Sequence, residues 1–317
     1  MNRRFFNARM PRRRVLSVLL IGFLQCWLAG LVVADGGGGA KEISSARIVS
    51  QSVLTDELAL AVARPEQVAA LSQLARDDNF SAVSEAARDY PQLPVRGTAE
   101  AILQYRPTLV LFSDFSRPEL VAQVKRSGVP VLVFDRYATL EDTYANLRRL
   151  GAAIDPAAKG KAEEVVAATQ KRVAALEQKL AGRKIVKVIA PSTYGVIPGA
   201  GTNFQDLCEH AGAENLAATL GKMRGHTAPP AEQMLRWPVD RLVIAVPDNA
   251  QRPPFSEEII ARAVAPFRQV PPYKFMPSVR EKRVALLQPW QMSCLSHLRV
   301  EAYEQLARQL HPEAFQE

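Results

Sequence analysis

One long uninterrupted helix-forming stretch constrains this chain more than any other feature. Asp155 and Pro156 open it. Aspartate is a good N-cap, and proline's fixed φ suits the first helical position. From there to Gly182 the only strong breaker is Gly160, in the opening turns. Val166, Thr169, Val173, Leu176 and Leu180 recur at three-and-four spacing, which gives one narrow apolar stripe on an otherwise charged helix. Some 26 residues rising about 1.5 Å each reach about 39 Å. A helix of that length with a single buried stripe lies across a surface and is placed to join two bodies. The expected division is residues 47–154 as a first lobe, 155–182 as a linking helix and 183–317 as a second lobe.

The sequence on either side alternates short apolar runs with amphipathic stretches. Strands are predicted over Arg47–Ser50, Val68–Leu74, Thr108–Phe112 and Pro130–Phe134, then over Lys184–Ala190, Arg241–Val246 and Arg283–Leu287. Helices are predicted over Thr55–Ala63, Thr98–Tyr105 and Glu119–Ser127, the last stopping at Gly128 as a helix C-terminus should. In the second half they cover Asn203–Ala211, Ala231–Trp237, Ser256–Val264 and Ser296–Leu310. Arg76–Pro94 is polar and irregular. Continuous β-branched runs separated by helices specify mainly parallel sheets covered on both faces. The predicted fold is therefore α/β, in two lobes joined by one long α-helix. One unit also occurs twice. GTAEAILQYRPTLVLF, residues 97–112, is echoed by AEQMLRWPVDRLVIA, residues 231–245. In each copy a glutamate, Glu100 or Glu232, starts a helix that feeds a strand about eight residues later.

The first 34 residues have the composition of a secretory signal peptide. Met1–Arg14 holds six arginines and no acid, Val15–Ala34 is almost wholly apolar, and Val32 and Ala34 sit at the −3 and −1 positions of a small-residue cleavage site. A membrane anchor is the bland alternative, since twenty apolar residues could just span a bilayer. Cys26 follows Gln25 mid-stretch, which does not suit a lipid-modified cysteine, and Arg12-Arg13-Arg14-Val15-Leu16 weakly resembles a twin-arginine export signal. Residues 35–46, with four successive glycines, are expected to form a flexible leader. Removing the leader arginines changes the charge argument. The whole chain has 40 basic and 32 acidic residues; without those six arginines it has 34 against 32, a net charge of +2. A near-neutral balance gives no case for a nucleic-acid partner. Only Cys208 and Cys294 would remain, and an exported chain could pair them or leave them free.

The order of these pieces resembles a known family: the helix-linked substrate-binding proteins of ABC importers that take up iron complexes and cobalamin. Arg47-Ile48-Val49-Ser50 followed by Thr55-Asp56-Glu57-Leu58 is similar to the family's opening strand, ligand-facing loop and first helix. Residues 97–112 resemble its segment of glycine, acidic helix start, proline and buried strand. Gly199-Ala200-Gly201-Thr202-Asn203-Phe204 and Ala211-Gly212-Ala213-Glu214-Asn215 resemble its second-lobe glycine turn and AGxEN run. The likeness spans roughly residues 47–312. One departure is the first loop, Gln51-Ser52-Val53-Leu54, which lacks the serine–proline–serine run of relatives. The resemblance implies a periplasmic, monomeric protein without a cofactor of its own. It would capture a metal chelate between the lobes and deliver it to a permease dimer with its ATPase. It further implies that Glu100 and Glu232 dock against permease arginines, one on each lobe. Helix-dipole stabilisation of a first-turn carboxylate, about 0.3–1 kcal/mol, accounts for either glutamate singly but not for their matching placement.

In open parallel sheets ligands bind beyond the carboxyl ends of the strands. The loops there carry Arg76, Phe115, Arg117, Arg136, Tyr137, Tyr194, Arg252 and Trp290. Aromatic faces suit the apolar surface of a chelate, and arginines pair with its carboxylate or catecholate oxygens. The expected ligand is a ferric siderophore or cobalamin. Haem stays open, with Tyr137, Tyr194 or His297 as an axial ligand, as does a sensory binding module of the same fold. A bare zinc or manganese site would need several His or carboxylate ligands from both lobes. The four histidines, His210, His226, His297 and His311, all lie in the second half and form no cluster in sequence. Enzyme motifs are missing too: there is no G-x-S-x-G elbow, no Walker loop, and Phe204 stands where a dinucleotide loop starting at Gly199 would need its third glycine.

Overall fold

A computed structural model describes residues 46–247 and 253–316. The expected signal peptide and nearly all of the leader lie outside the described residues, as does Arg252. In the first lobe the elements run β1 (Ile48–Ser50), α1 (Val53–Val62), β2 (Val68–Ala70), α2 (Ala99–Leu103), β3 (Leu109–Ser113), α3 (Pro118–Arg126), β4 (Val131–Phe134) and α4 (Leu140–Ile154). The linking helix α5 covers Pro156–Leu180. The second lobe contains β5 (Val186–Ile189), β6 (Ile197–Pro198), α6 (Asn203–His210), β7 (Ala213–Asn215), α7 (Leu216–Thr219), β8 (His226–Thr227) and α8 (Ala231–Met234). It continues through β9 (Arg241–Ala245), α9 (Glu257–Val264), α10 (Pro277–Arg280), β10 (Val284–Leu287), α11 (Pro289–Ser293) and α12 (Arg299–Leu310).

Each lobe is built on a four-stranded sheet paired in parallel throughout. The strand orders are β2-β1-β3-β4 and β10-β9-β5-β7. Numbered within its own lobe, the second sheet also reads 2-1-3-4. The sequence echo thus has a topological basis. Helix α2 precedes the third strand of the first sheet, and α8 precedes the third strand of the second.

The linking helix buries Ala158, Ala162, Val166, Thr169, Val173 and Leu176. One continuous apolar cluster uses this stripe to run from Ile48, Leu58 and Leu111 in the first lobe to Val188, Leu207 and Leu306 in the second. Helix α4 has no counterpart in the sequence reading, which leaves residues 140–154 unassigned. Thr139 caps it by accepting from Asp142 N, while the Asp142 carboxylate accepts from Thr139 N. It packs along α5 at Gly151, where an added Cβ would lie 2.7 Å from the Ala158 carbonyl oxygen.

Polar contacts also tie the lobes. Arg299, 2% exposed, lies in the second lobe and donates to the first-lobe carbonyls of Tyr137 (2.7 Å) and Ala138 (3.1 Å). The same guanidinium pairs with Asp206 at 3.1 Å. Asp206 accepts in addition from the Tyr303 hydroxyl and from Leu140 N (3.2 Å). A buried charge pair persists only when its remaining donors and acceptors are satisfied; here four backbone carbonyls take the other guanidinium hydrogens.

Candidate functional site

In a sheet ordered 2-1-3-4 the connections leave in opposite directions from the first and third strands, and a crevice opens beyond their carboxyl ends. Gln51 and Ser52 follow β1, Ser72 to Leu74 follow β2, and Phe115 to Arg117 follow β3. All of them line one cleft of about 470 Å³. The second lobe contributes Ser293, Cys294 and Leu295 from the chain after β10. The loops around the switch point are bonded to each other. Ser116 Oγ donates to Gln51 Oε1 at 2.6 Å, and Arg117 Nη2 donates to the Gly97 carbonyl at 2.7 Å.

The wall is apolar with a cationic lip. Leu54, Leu74, Leu93, Ile102, Leu120 and Leu295 supply hydrocarbon surface. Phe80 and Phe115 stand 49% and 59% exposed at the same cleft. Arg96 and Arg117 are exposed lining residues. Arg96 adopts the left-handed region with φ 59°, which a side chain other than glycine occupies only when its surroundings enforce it. Here Arg96 N donates to Gln73 Oε1 at 3.1 Å, so the turn that carries this cation is held by a neighbouring cleft residue.

Two acids lie beneath. The Asp56 carboxylate accepts from Ser72 N (2.9 Å) and from the Ser72 hydroxyl. Burial pushes it up to about 6 against the hydrogen bonds from Ser50 and Ser72. Glu57 lines the cleft itself and spans the lobes. It accepts from Ala82 N at 3.0 Å and from the Cys294 thiol at 3.6 Å. Burial pushes its carboxyl up to about 7 despite its bond with Ser296. Burial also pushes the Cys294 thiol up, and the adjacent Glu57 adds to this. Cys208 and Cys294 are both free, buried thiols.

The residues expected at the ligand do not all converge. Phe115 is on the cleft wall, as is Arg117. Tyr137 stacks edge-on against Phe115 with ring centroids 6.0 Å apart, and its hydroxyl donates to Asp114 Oδ1 at 2.8 Å. Arg76 is turned to its own lobe, donating to the carbonyls of Ala87, Arg88 and Tyr90. Arg136 is 81% exposed and pairs with Asp142 at 2.9 Å. Tyr194 is 92% exposed in the loop after β5. Trp290 lines a second, more polar cleft of about 830 Å³, with Asp78, Glu85 and Arg88 from the first lobe and Phe255, Gln291 and Glu301 from the second. His297 is half-buried off both clefts, its imidazole pushed down to about 4 by burial and by Arg172. Gln73, Phe80 and Arg96 were not singled out by sequence. Gln73 lies inside the strand predicted over Val68–Leu74, whereas β2 stops at Ala70. Arg96 follows a stretch with no periodic pattern.

Glu100 and Glu232 are exposed, each in the first turn of its helix. Among the described residues, no group of three or more His, Cys, Asp or Glu side chains could hold a metal ion. Nor is any described helix long and apolar enough to cross a membrane.

Residues 48–289 match the family model described as periplasmic binding protein. The chain belongs to this family. Its members of the helix-linked class are the extracytoplasmic substrate-binding components of ABC importers. Solved structures agree on the fold. The periplasmic haem-binding protein RhuT of Roseiflexus sp. RS-1 superposes with a TM-score of 0.70 at 21% identity, covering 85% of this chain and 99% of its own. The periplasmic haem-binding protein HutB of Vibrio cholerae gives 0.67 at 19% identity, covering 85% and 100%. CeuE of Helicobacter pylori, in complex with Ni-His, gives 0.64 at 17%, covering 85% and 84%. Comparison with curated proteins finds no match.

Proposed function

We propose that this periplasmic binding protein captures a metal chelate in the interlobe cleft beyond the carboxyl ends of β1 and β3 and hands it unchanged to an inner-membrane permease. The observation that carries this reading is the cleft itself: apolar walls from Leu54 to Leu120, exposed Phe80 and Phe115, and Arg96 and Arg117 at the opening. Such a surface covers the hydrocarbon face of a chelate while the guanidiniums pair with anionic groups at its edge. Haem-binding neighbours of the same fold support a chelate as the ligand class. Residues 1–34 would direct export. Glu100 and Glu232, at equivalent places before the third strand of each sheet, would meet arginines of the permease. The reading is tested by thermal-shift titration with ferric siderophores, cobalamin and haemin. A tight ligand at about one hundred times its Kd adds about 2.7 kcal/mol of apparent stability. Arg117→Ala should reduce the shift for an anionic chelate, since a bond to a charged group contributes about 1.5–3 kcal/mol. If no chelate raises the melting temperature, the proposal fails.

A further inference from the structure

We infer that the second, polar cleft, the one lined by Trp290, is a binding site in its own right, separate from chelate capture, and that it takes an amino sugar: a ring bearing hydroxyls and at least one ammonium group. One turn stands between the two clefts. Phe80 lines the chelate cleft, whereas Asp78, Ser81 and Ala82 line the other. The turn is held from within, Ser81 N donating to the Asp77 carbonyl at 2.9 Å and Asn79 N to Asp77 Oδ1 at 2.8 Å. It is held from the first lobe's core by Ala82 N on Glu57 Oε1 at 3.0 Å. The Asp77 carboxylate is thereby spent inside the turn, and Asp78 is the acid that the turn presents to the polar cleft.

The negative charge of this cleft is uncompensated. Among its described lining residues Arg88 is the one cation, and Glu85 pairs with it at 3.1 Å. Asp78 and Glu301 come from opposite lobes, and neither carboxylate has an ion-pair or hydrogen-bond partner among the described residues. Arg172 acts on Glu301 only from a distance, because its guanidinium is bidentate on Glu304 at 2.9 Å. Burial pushes the Glu301 carboxyl up in spite of Arg172, and Glu304 adds to the rise. A ligand ammonium would supply the missing charge through charge-assisted bonds. The remaining wall suits a hydroxylated ring. Trp290 and Phe255 are half-buried and offer flat apolar faces, on which a ring packs while the indole quadrupole attracts its cation. Gln291 is 9% exposed, and its Oε1 accepts from Gln288 N at 2.9 Å. Its amide nitrogen is left without an acceptor among the described residues, a cost that a ligand hydroxyl removes. Gln305 and Ser81 place further polar groups on the same wall. A volume of about 830 Å³ is that of a small-molecule site. A bare cation would satisfy the carboxylates and leave the indole and the amide unused.

Calorimetric titration tests this. The purified protein is titrated at about pH 6.5, where amines and carboxylates are charged, with the glucosamine disaccharide of chitosan and with its N,N′-diacetyl form. The acetylated sugar keeps the rings and hydroxyls and carries no charge. The charged form should bind at least about tenfold more tightly. Asp78→Asn combined with Glu301→Gln should remove that difference, and Trp290→Ala should weaken both sugars by about tenfold or more. Equal binding of the two sugars overturns the inference. So does spermidine or calcium binding as tightly as the charged disaccharide, since charge alone would then suffice. Absence of any heat of binding up to about 10 mM sugar overturns it as well. The Asp78→Asn, Glu301→Gln protein should take up chelates as wild type does, so a failure here and a failure of chelate capture are read separately.

Discussion

Replacing Glu57 by glutamine should flatten the dependence of stability on pH. Glu57 is 2% exposed and its carboxyl is pushed from an ordinary 4.5 to about 7, chiefly by burial. Between those values the folded chain holds a proton that the unfolded chain has released. Folding therefore takes up protons in that window, and stability falls as pH rises through it. Below about 4.5 both states are protonated and the penalty is absent; above about 7 both are ionised and it is complete. At about 1.4 kcal/mol per pH unit, the displacement amounts to about 3 kcal/mol of stability lost between pH 4.5 and pH 8. Glutamine has nearly the same shape and cannot ionise, and its carbonyl can still accept from Ala82 N. Urea unfolding of both proteins at closely spaced pH values measures the effect. The wild-type curve should fall more steeply than that of Glu57→Gln, the two diverging by about 3 kcal/mol by pH 8. Asp56, raised to about 6 by the same cause, leaves a residual slope in both. Parallel curves for the two proteins would refute the assignment of this carboxyl as one that burial holds protonated to about pH 7.

Two further outcomes are expected. Glu100→Ala combined with Glu232→Ala should abolish import in cells while the Kd for the chelate, measured on purified protein, stays unchanged; a double variant that loses ligand binding would remove both glutamates from a docking role. Gly151→Ala places a Cβ 2.7 Å from the Ala158 carbonyl where α4 crosses α5, so it should destabilise by about 1–3 kcal/mol, seen as a lower urea midpoint. A midpoint equal to wild type would show that the two helices can separate without penalty.

The framework of the fold could be read from sequence because its signals are local and repeated. The stripe Val166–Thr169–Val173–Leu176 and the runs Thr108–Phe112 and Arg241–Val246 each report burial through their own spacing. Helix α4 is marked in sequence chiefly by the capping pair Thr139–Asp142 at its start, a signal weaker than the apolar runs on either side of it. The cleft is less legible for a different reason. The loops after the strands can be picked out as a region, but which side chain lines a cleft depends on what else reaches it. Arg76 looks like a cation for an anionic ligand until three carbonyls, distant by 11 to 14 residues, are found to hold it. Arg96 gives no sign in sequence, because its place follows from a left-handed turn bonded to Gln73, 23 residues earlier. Trp290 follows a strand as expected, yet α11 carries it to the second cleft.

The contacts that join the lobes also bear on how occupancy could be communicated. Beyond the linking helix, the lobes meet through Glu57 and Cys294, through the Thr143 hydroxyl donating to the Leu295 carbonyl at 3.1 Å, and through Arg299 on the Tyr137 and Ala138 carbonyls. Cys294 and Leu295 are themselves cleft-lining residues. A wide swing between the lobes would strip partners from a buried guanidinium whose truncation alone is worth about 3–5 kcal/mol in comparable pairs. The ligand can supply such energy only by spending about half of a micromolar affinity, which corresponds to about 8 kcal/mol. The arrangement therefore favours capture with little closure. A permease touching both lobe tips, as proposed above, would then sense the loaded state through small shifts of Glu57, Cys294 and Leu295, which belong at once to the cleft wall and to the lobe contact.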